Sequence, residues 1–183
     1  MLVKKAKLFI SLFSLMFFLS CFEGTDFEQA NDVLLTPEIE LDLIYFNIEA
    51  SQFYNPSTST EILVLKDTTD LDFLGGRDIN NILKKADFLF QFTNSIPREF
   101  DVSFDFLNTQ NQSKYFIQSN IVSGNQTNPV VTTFLEEIDE QEITDLTSAN
   151  KVVISVAIAS SSQNLTGVLN LQSKTTYYLE IDQ

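Results

Sequence analysis

Carboxylates and one thiol are the side chains of this chain with chemistry to offer: 25 Asp and Glu, one Cys and no His. The acids gather in two places. Asp67, Asp70 and Asp72 form one cluster, with Asp70 and Asp72 flanking Leu71. Glu136, Glu137, Asp139, Glu140 and Glu142 form the other. Acids at such spacings serve two chemistries: ligation of a hard cation such as Ca²⁺, and acid/base attack on a glycosidic bond. An EF-hand calcium loop needs acids at alternate positions, a central Gly and a distal Glu. Neither cluster has that pattern, and solvated loop and helix surface accounts for both. The partners of a glycosidase pair meet only in space, but the chain has no Trp to line a sugar cleft. Gly75-Gly76-Arg77-Asp78 precedes a helix start and could cradle an anion. Its spacing matches neither a P-loop nor a dinucleotide fingerprint, and a turn followed by a cap explains it. Arg98, one of two arginines, sits between two Phe-rich segments, where pairing with a neighbouring acid would pin the loop.

The thiol is placed where it has a different use. Lys4, Lys5 and Lys7 are followed by the apolar run Leu8 to Leu19, broken only by Ser11 and Ser14. The run is too short for a comfortable membrane span, which needs about 20 apolar residues. A positive start, a short apolar run and a small residue make the secretory pattern. Phe18-Leu19-Ser20-Cys21 then stands where a lipobox stands, with Phe18 in place of the usual leucine. The expected cut falls between Ser20 and Cys21, and Cys21 carries lipid. Residues 1–20 are the signal and residues 21–37 an acidic tether holding Glu23, Asp26, Glu28 and Asp32 with Gly24 and Pro37. Acyl chains add about 0.8 kcal/mol of membrane affinity per buried CH₂.

Composition excludes more than it suggests. Without His there is no Ser-His-Asp or Cys-His triad, no imidazole proton shuttle and no imidazole metal ligand. With Cys21 acylated there is no thiol nucleophile, disulfide or zinc thiolate. Loss of the three leader lysines leaves eight basic against 25 acidic side chains, a formal charge of −17. Such a surface repels phosphates and anionic head groups, which argues against nucleic acid as a partner. No catalytic residue, metal ligand or cofactor is assigned, and the chain is not expected to be an enzyme.

The elements that position these groups read as strands. Ile39, Leu41, Leu43 and Tyr45 alternate with Glu38, Glu40 and Asp42, which predicts a strand with one wet face. Asn55-Pro56-Ser57 is a turn, and Ile62 to Leu65 a short strand. Asp78 caps a helix whose Ile79, Ile82, Leu83 and Ala86 share a face, with Lys84 and Lys85 in the last turn. Phe88, Phe90 and Phe92 form one strand and Val102, Phe104 and Phe106 the next, separated by the turn Asn94-Ser95-Ile96-Pro97. Asn108 to Ser113 is a hairpin loop, with Tyr115 to Val122 returning; Gly124 to Pro129 is a loop before Val130 to Leu135. Glu136 to Asp145 holds a helical turn with Asp139 and Glu142 at capping-box spacing. Val152, Ile154, Val156 and Ile158 form a buried strand; Leu169 and Leu171 belong to another, and Tyr177, Leu179 and Ile181 to a last. Of the adjacent Tyr177 and Tyr178, one must face away from the core.

These segments predict a mainly all-β domain over residues 38–183. It is an Ig-like antiparallel β-sandwich of about eight strands joined mostly by hairpin-length links, with one or two short helices.

The lipobox-like Phe18 to Cys21 with Glu23, Asp26 and Glu28, and the segment Ala86-Asp87-Phe88 through Asn94-Ser95-Ile96-Pro97-Arg98-Glu99-Phe100 to Phe106-Leu107, carry a resemblance. The chain resembles the small cell-envelope lipoproteins of Bacteroidota-type (flavobacterial) bacteria. The resemblance implies a lipid anchor in the outer membrane, acids after the cysteine that accompany export to the cell surface, and no known activity. It also implies that Asp67-Thr68-Thr69 matches an O-glycosylation signal of such bacteria. The expected role is non-catalytic binding or envelope assembly: the lipid engages the membrane, and an envelope protein or a glycan is the partner. The alternatives are a carbohydrate-active hydrolase using paired carboxylates and a carrier of apolar ligands.

Overall fold

Period-two alternation of large apolar side chains builds most of this molecule. The computed structural model describes residues 34–74 and 79–182. Leu35–Ile181 forms one unit. The signal and tether up to residue 33, including Ser20 and Cys21, and Gly75 to Asp78 lie outside the described residues.

The eight long strands are β1 (Glu38–Glu49), β2 (Val64–Asp70), β3 (Leu83–Asn94) and β4 (Phe100–Leu107), then β5 (Ser113–Ile121), β6 (Val130–Ile138), β7 (Lys151–Ile158) and β8 (Val168–Leu179). Two four-stranded sheets result, ordered β2-β7-β4-β5 and β1-β8-β3-β6. Every pairing between the long strands is antiparallel: first with last, second with seventh, third with sixth, fourth with fifth. The chain is therefore one long folded hairpin. Rolling it sets β8 beside β3 and β7 beside β4. That is the double Greek key of a jelly roll. The antiparallel sandwich anticipated from the sequence is the observed fold, with a jelly-roll strand order in place of an immunoglobulin one.

The four central strands supply the core. Phe88, Phe90 and Phe92 of β3 meet Phe100, Val102, Phe104 and Phe106 of β4, all fully or nearly fully buried. Across the sheets the Phe90 and Phe104 rings lie 4.4 Å apart, and Phe88 and Phe106 5.5 Å. Each such pair adds about 0.5–1.5 kcal/mol beyond the area it buries.

The corner between β3 and β4 depends on Asn94, which is fully buried. Its Nδ2 donates to the carbonyls of Arg98 (2.8 Å) and Val122 (2.9 Å), and its Oδ1 accepts from Ile96 N–H (2.8 Å). Gly124 passes so close that a Cβ there would collide with the Asn94 carbonyl. Gly167, at φ +118°, lies where only Gly is unstrained.

Several expectations are corrected. Among the described residues the helix runs Ile79–Ile82, and Leu83 already begins β3. Leu83 and Ala86 share a face across three residues because β3 bulges there, where Tyr178 pairs with Lys85 and Leu179 with Leu83. A bulge thus imitated helical spacing. Lys84 and Lys85 lie in a strand. Leu169 through Leu179 is one strand, not two: residues 169, 171, 175, 177 and 179 are all buried, and Ser173 to Thr175 interrupt the hydrophobicity without interrupting the ladder to β3. The strand expected over Ile62 to Leu65 runs instead from Val64 to Asp70. Hairpin links are not the rule, for among the long strands only β4 and β5 are consecutive and paired. The acidic segment keeps its helical turn (Ile143–Thr147), with Ile143 and Leu146 buried.

Candidate functional site

The site begins with a defect in β1. Gln172 pairs with Tyr45 and Lys174 with Asp42, so Leu43 and Ile44 together oppose the single residue Ser173. This is a β-bulge, and it reverses the facing of every later side chain. The Ser173 hydroxyl repairs the ladder: it accepts from Ile44 N–H (3.0 Å) and donates to Ile44 C=O (2.9 Å). Beyond the bulge Ile44, Phe46 and Ile48 turn toward the core, and Tyr45 turns out, 65% exposed. Unbroken period-two alternation along the sequence puts Tyr45 on the same face as Leu43. The doublet Leu43-Ile44 followed by Phe46 and Ile48 was the available signal of the phase change.

Strand β1 is the edge of one sheet and β2 the edge of the other. Between them a cleft of about 540 Å³ enters the sandwich. Its wall is mixed: apolar Leu43, Ile44, Phe46 and Ile48 from one sheet and Leu65, Ile154 and Val156 from the other, bordered by Tyr45, Asn47, Gln52, Lys66 and Thr69. Residues opposed in an antiparallel pair share a face. Asp67 opposes buried Ile154, so its carboxylate lies on the inner face, at the mouth of the cleft. The volume is that of a small-molecule site, and the lining mixes apolar side chains with polar groups at the rim.

The acidic clusters disperse. Asp67 stands at the cleft mouth. Asp70 and Asp72 line a smaller pocket of about 180 Å³ with Asp42, Phe73 and Tyr177. Among the described residues no group of three or more acids converges as metal ligands would. In the second cluster, Glu136 accepts the Tyr115 hydroxyl (2.8 Å). Glu137 pairs with Lys85 (3.2 Å), and Glu140 lies 3.8 Å from Lys84. The Asp139 carboxylate accepts from Gln141 and Glu142 N–H, turning the chain into the helix. Arg98 bonds the carbonyls of Pro97 (2.8 Å) and Ser160 (3.3 Å), so it pins the corner through backbone oxygens where an acid was expected.

One polar network lies on the outer face of β3. Lys85 Nζ is 2.9 Å from Asp87 Oδ1 and 5.1 Å from the Tyr178 ring centre, and the Tyr178 hydroxyl donates to Asp87 (2.8 Å). Hydrogen bonds to Asp87 and Glu137 push the Lys85 ammonium up to about 12. The bond to Asp87 raises Tyr178. Tyr177, on the opposite face, is pushed up to about 12 by burial. Burial, then the Glu136 carboxylate, raises Tyr115. These groups hold their protons firmly and support structure more readily than proton transfer. Among the described residues no helix is long and apolar enough to cross a membrane.

No protein-family model matches the chain, and no curated protein matches it in sequence. Solved structures do align. A protein of Parabacteroides distasonis taken to be secreted aligns over 62% of this chain and 37% of its own, at 12% identity and TM-score 0.46. The VP2 subviral particle of infectious bursal disease virus aligns over 81% of this chain and 33% of its own, at 8% identity and TM-score 0.42. The enzymatically active domain of tailspike protein 4 from bacteriophage CBA120 aligns over 78% and 19%, at 13% identity and TM-score 0.38. The chain thus spans well under half the length of these proteins.

Proposed function

We propose that this protein is a lipid-anchored cell-envelope protein, held at the outer membrane through Cys21, whose sandwich binds an apolar or amphipathic molecule without catalysing a reaction. The cleft between β1 and β2 carries the reading. Ile154, Val156, Phe46, Ile48 and Leu65 supply its apolar lining, and one carboxylate, Asp67, stands at its mouth with Lys66 next to it in the lining. An apolar tail would gain about 25 cal/mol per Å² on leaving water. Asp67 and the acidic surface favour a neutral or cationic end over an anionic one.

The test is fluorescence titration of the full chain with N-phenylnaphthylamine, followed by competition with dodecylamine and with laurate. Saturable binding, displaced better by the amine and lost in Val156→Trp, supports the reading. A failure to bind any of the three probes would sink it. Incorporation of labelled palmitate, present in the wild type and absent in Cys21→Ser, tests the anchor separately.

A further inference from the structure

We propose that the outer face of the β1-β8-β3-β6 sheet, centred on Tyr45 and Gln172, binds a neutral oligosaccharide. The register places Tyr45, Gln172, Gln91 and Thr133 in one row across four strands, and Asn47, Asn170, Thr93 and Val131 in the next. No member of either row is charged, in a chain whose formal charge is −14. Charge resumes in the following row, at Asp42 and Lys174, and continues with Glu40, Asp87 and Glu137. Four strands make a platform about 14 Å wide.

The platform is pre-organised and dented. Asn170 Nδ2 donates to Asn47 Oδ1 (2.9 Å), and Asn47 Nδ2 donates to the Tyr45 hydroxyl oxygen (2.6 Å). The Tyr45 hydroxyl therefore accepts within the protein and keeps its own proton to donate outward. At the bulge a depression of about 410 Å³ opens, lined by Asp42, Leu43, Ile44, Tyr45, Gln172 and Ser173. The same bulge that opens the cleft inside turns the Tyr45 ring outside.

The chemistry selects the ligand class. A sugar hydroxyl both donates and accepts, as does each primary amide. The C–H face of a sugar ring packs on an exposed tyrosine, which offers a large rigid contact at low rotamer cost. The cores of protein–protein interfaces are enriched in aromatics, Met and Arg; these two rows contain one aromatic and neither of the others. Phosphate-bearing and other polyanionic ligands are repelled by the acidic surface. Tyr45 and Asn47 border both the platform and the cleft, whereas Gln172, Gln91 and Thr133 lie outside the cleft lining, so substitutions at the glutamines separate the two sites.

The experiment presents the full chain to an array of neutral glucan, mannan and xylan oligomers beside polygalacturonate and heparin fragments, then measures the best neutral hexasaccharide by calorimetry. We expect saturable binding to a neutral oligomer, unaffected by high salt. Gln172→Ala and Gln91→Ala each weaken it by on the order of tenfold, an effect of about 1.4 kcal/mol. Tyr45→Ala abolishes it. Each variant keeps the wild-type melting temperature within a few degrees, and the two glutamine variants, which lie outside the cleft lining, retain N-phenylnaphthylamine binding. Capture of only the anionic glycans, no binding to any neutral oligomer at millimolar concentration, or variants that bind as the wild type does would each overturn the proposal.

Discussion

Along the β5/β6 side of the sandwich, Phe134 stacks on Phe90 at 4.7 Å and reaches Phe92 at 6.4 Å, while Tyr115 bridges to Glu136. The helix Ile143–Thr147 packs beside them against β3 and β5. Along the β1/β2 side, the facing side chains are mostly aliphatic: Leu43, Ile48 and Leu65 are half-buried, and the cleft lies between them. Both sides are formed by one edge strand from each sheet. The difference is side-chain reach. Aromatic rings with a polar tip span the gap between two sheets and satisfy their hydroxyl on the far side. Branched aliphatics stop short, and the bulge at Leu43-Ile44 leaves β1 irregular.

The comparison can be broken most forcefully at the shared centre. Phe90→Ala removes the ring that touches both Phe104 and Phe134, and we expect a loss of about 3–5 kcal/mol in urea unfolding. A smaller loss would mean that the β5/β6 side is held by other contacts. Next, Phe134→Ala should cost about 2 kcal/mol, below the range for a fully buried ring, whereas Leu65→Ala should cost under about 1 kcal/mol. Equal costs from the same titrations would contradict the contrast between a packed side and an open one. Tyr115→Phe should cost about 1 kcal/mol by removing the bond to Glu136.

The buried tyrosines should show in pH dependence. Tyr115 and Tyr177 are raised above the ordinary tyrosine value near 10, Tyr177 to about 12. Between those limits the folded chain binds more protons than the unfolded one, so stability is full below about pH 10 and falls as pH rises toward about 12. Tyr177→Phe should flatten that decline in denaturant titrations across this window, and an unchanged slope would refute the assignment. A comparable effect belongs to the open side. Ser173→Ala strips the bulge of its hydroxyl partner, for about 1 kcal/mol, with faster hydrogen exchange at Ile44 N–H.

Legibility followed the range of the interactions. The Phe88-Phe90-Phe92 and Val152-Ile154-Val156-Ile158 alternations were plain because those strands are central, with one face wholly buried. Strand β1 was read only to Tyr45, since the bulge that flips its phase is set by Ser173, about 130 residues away. The Leu83–Ala86 spacing was read as helix because a bulge and a helical turn leave the same mark over three residues. The cleft was not legible: its walls come from β1, β2 and β7, segments with no sequence proximity. Nor was the platform, whose rows exist only across four strands.

From residues alone came the all-β class, the acidic composition, and the chemistry removed by the absence of His, because composition and local alternation act without reference to distant partners. Tertiary structure alone decided the jelly-roll order, which edges meet, and which face Tyr45 and Asp67 present. Those outcomes depend on cross-strand register, and a strand cannot express its register until its partner is beside it.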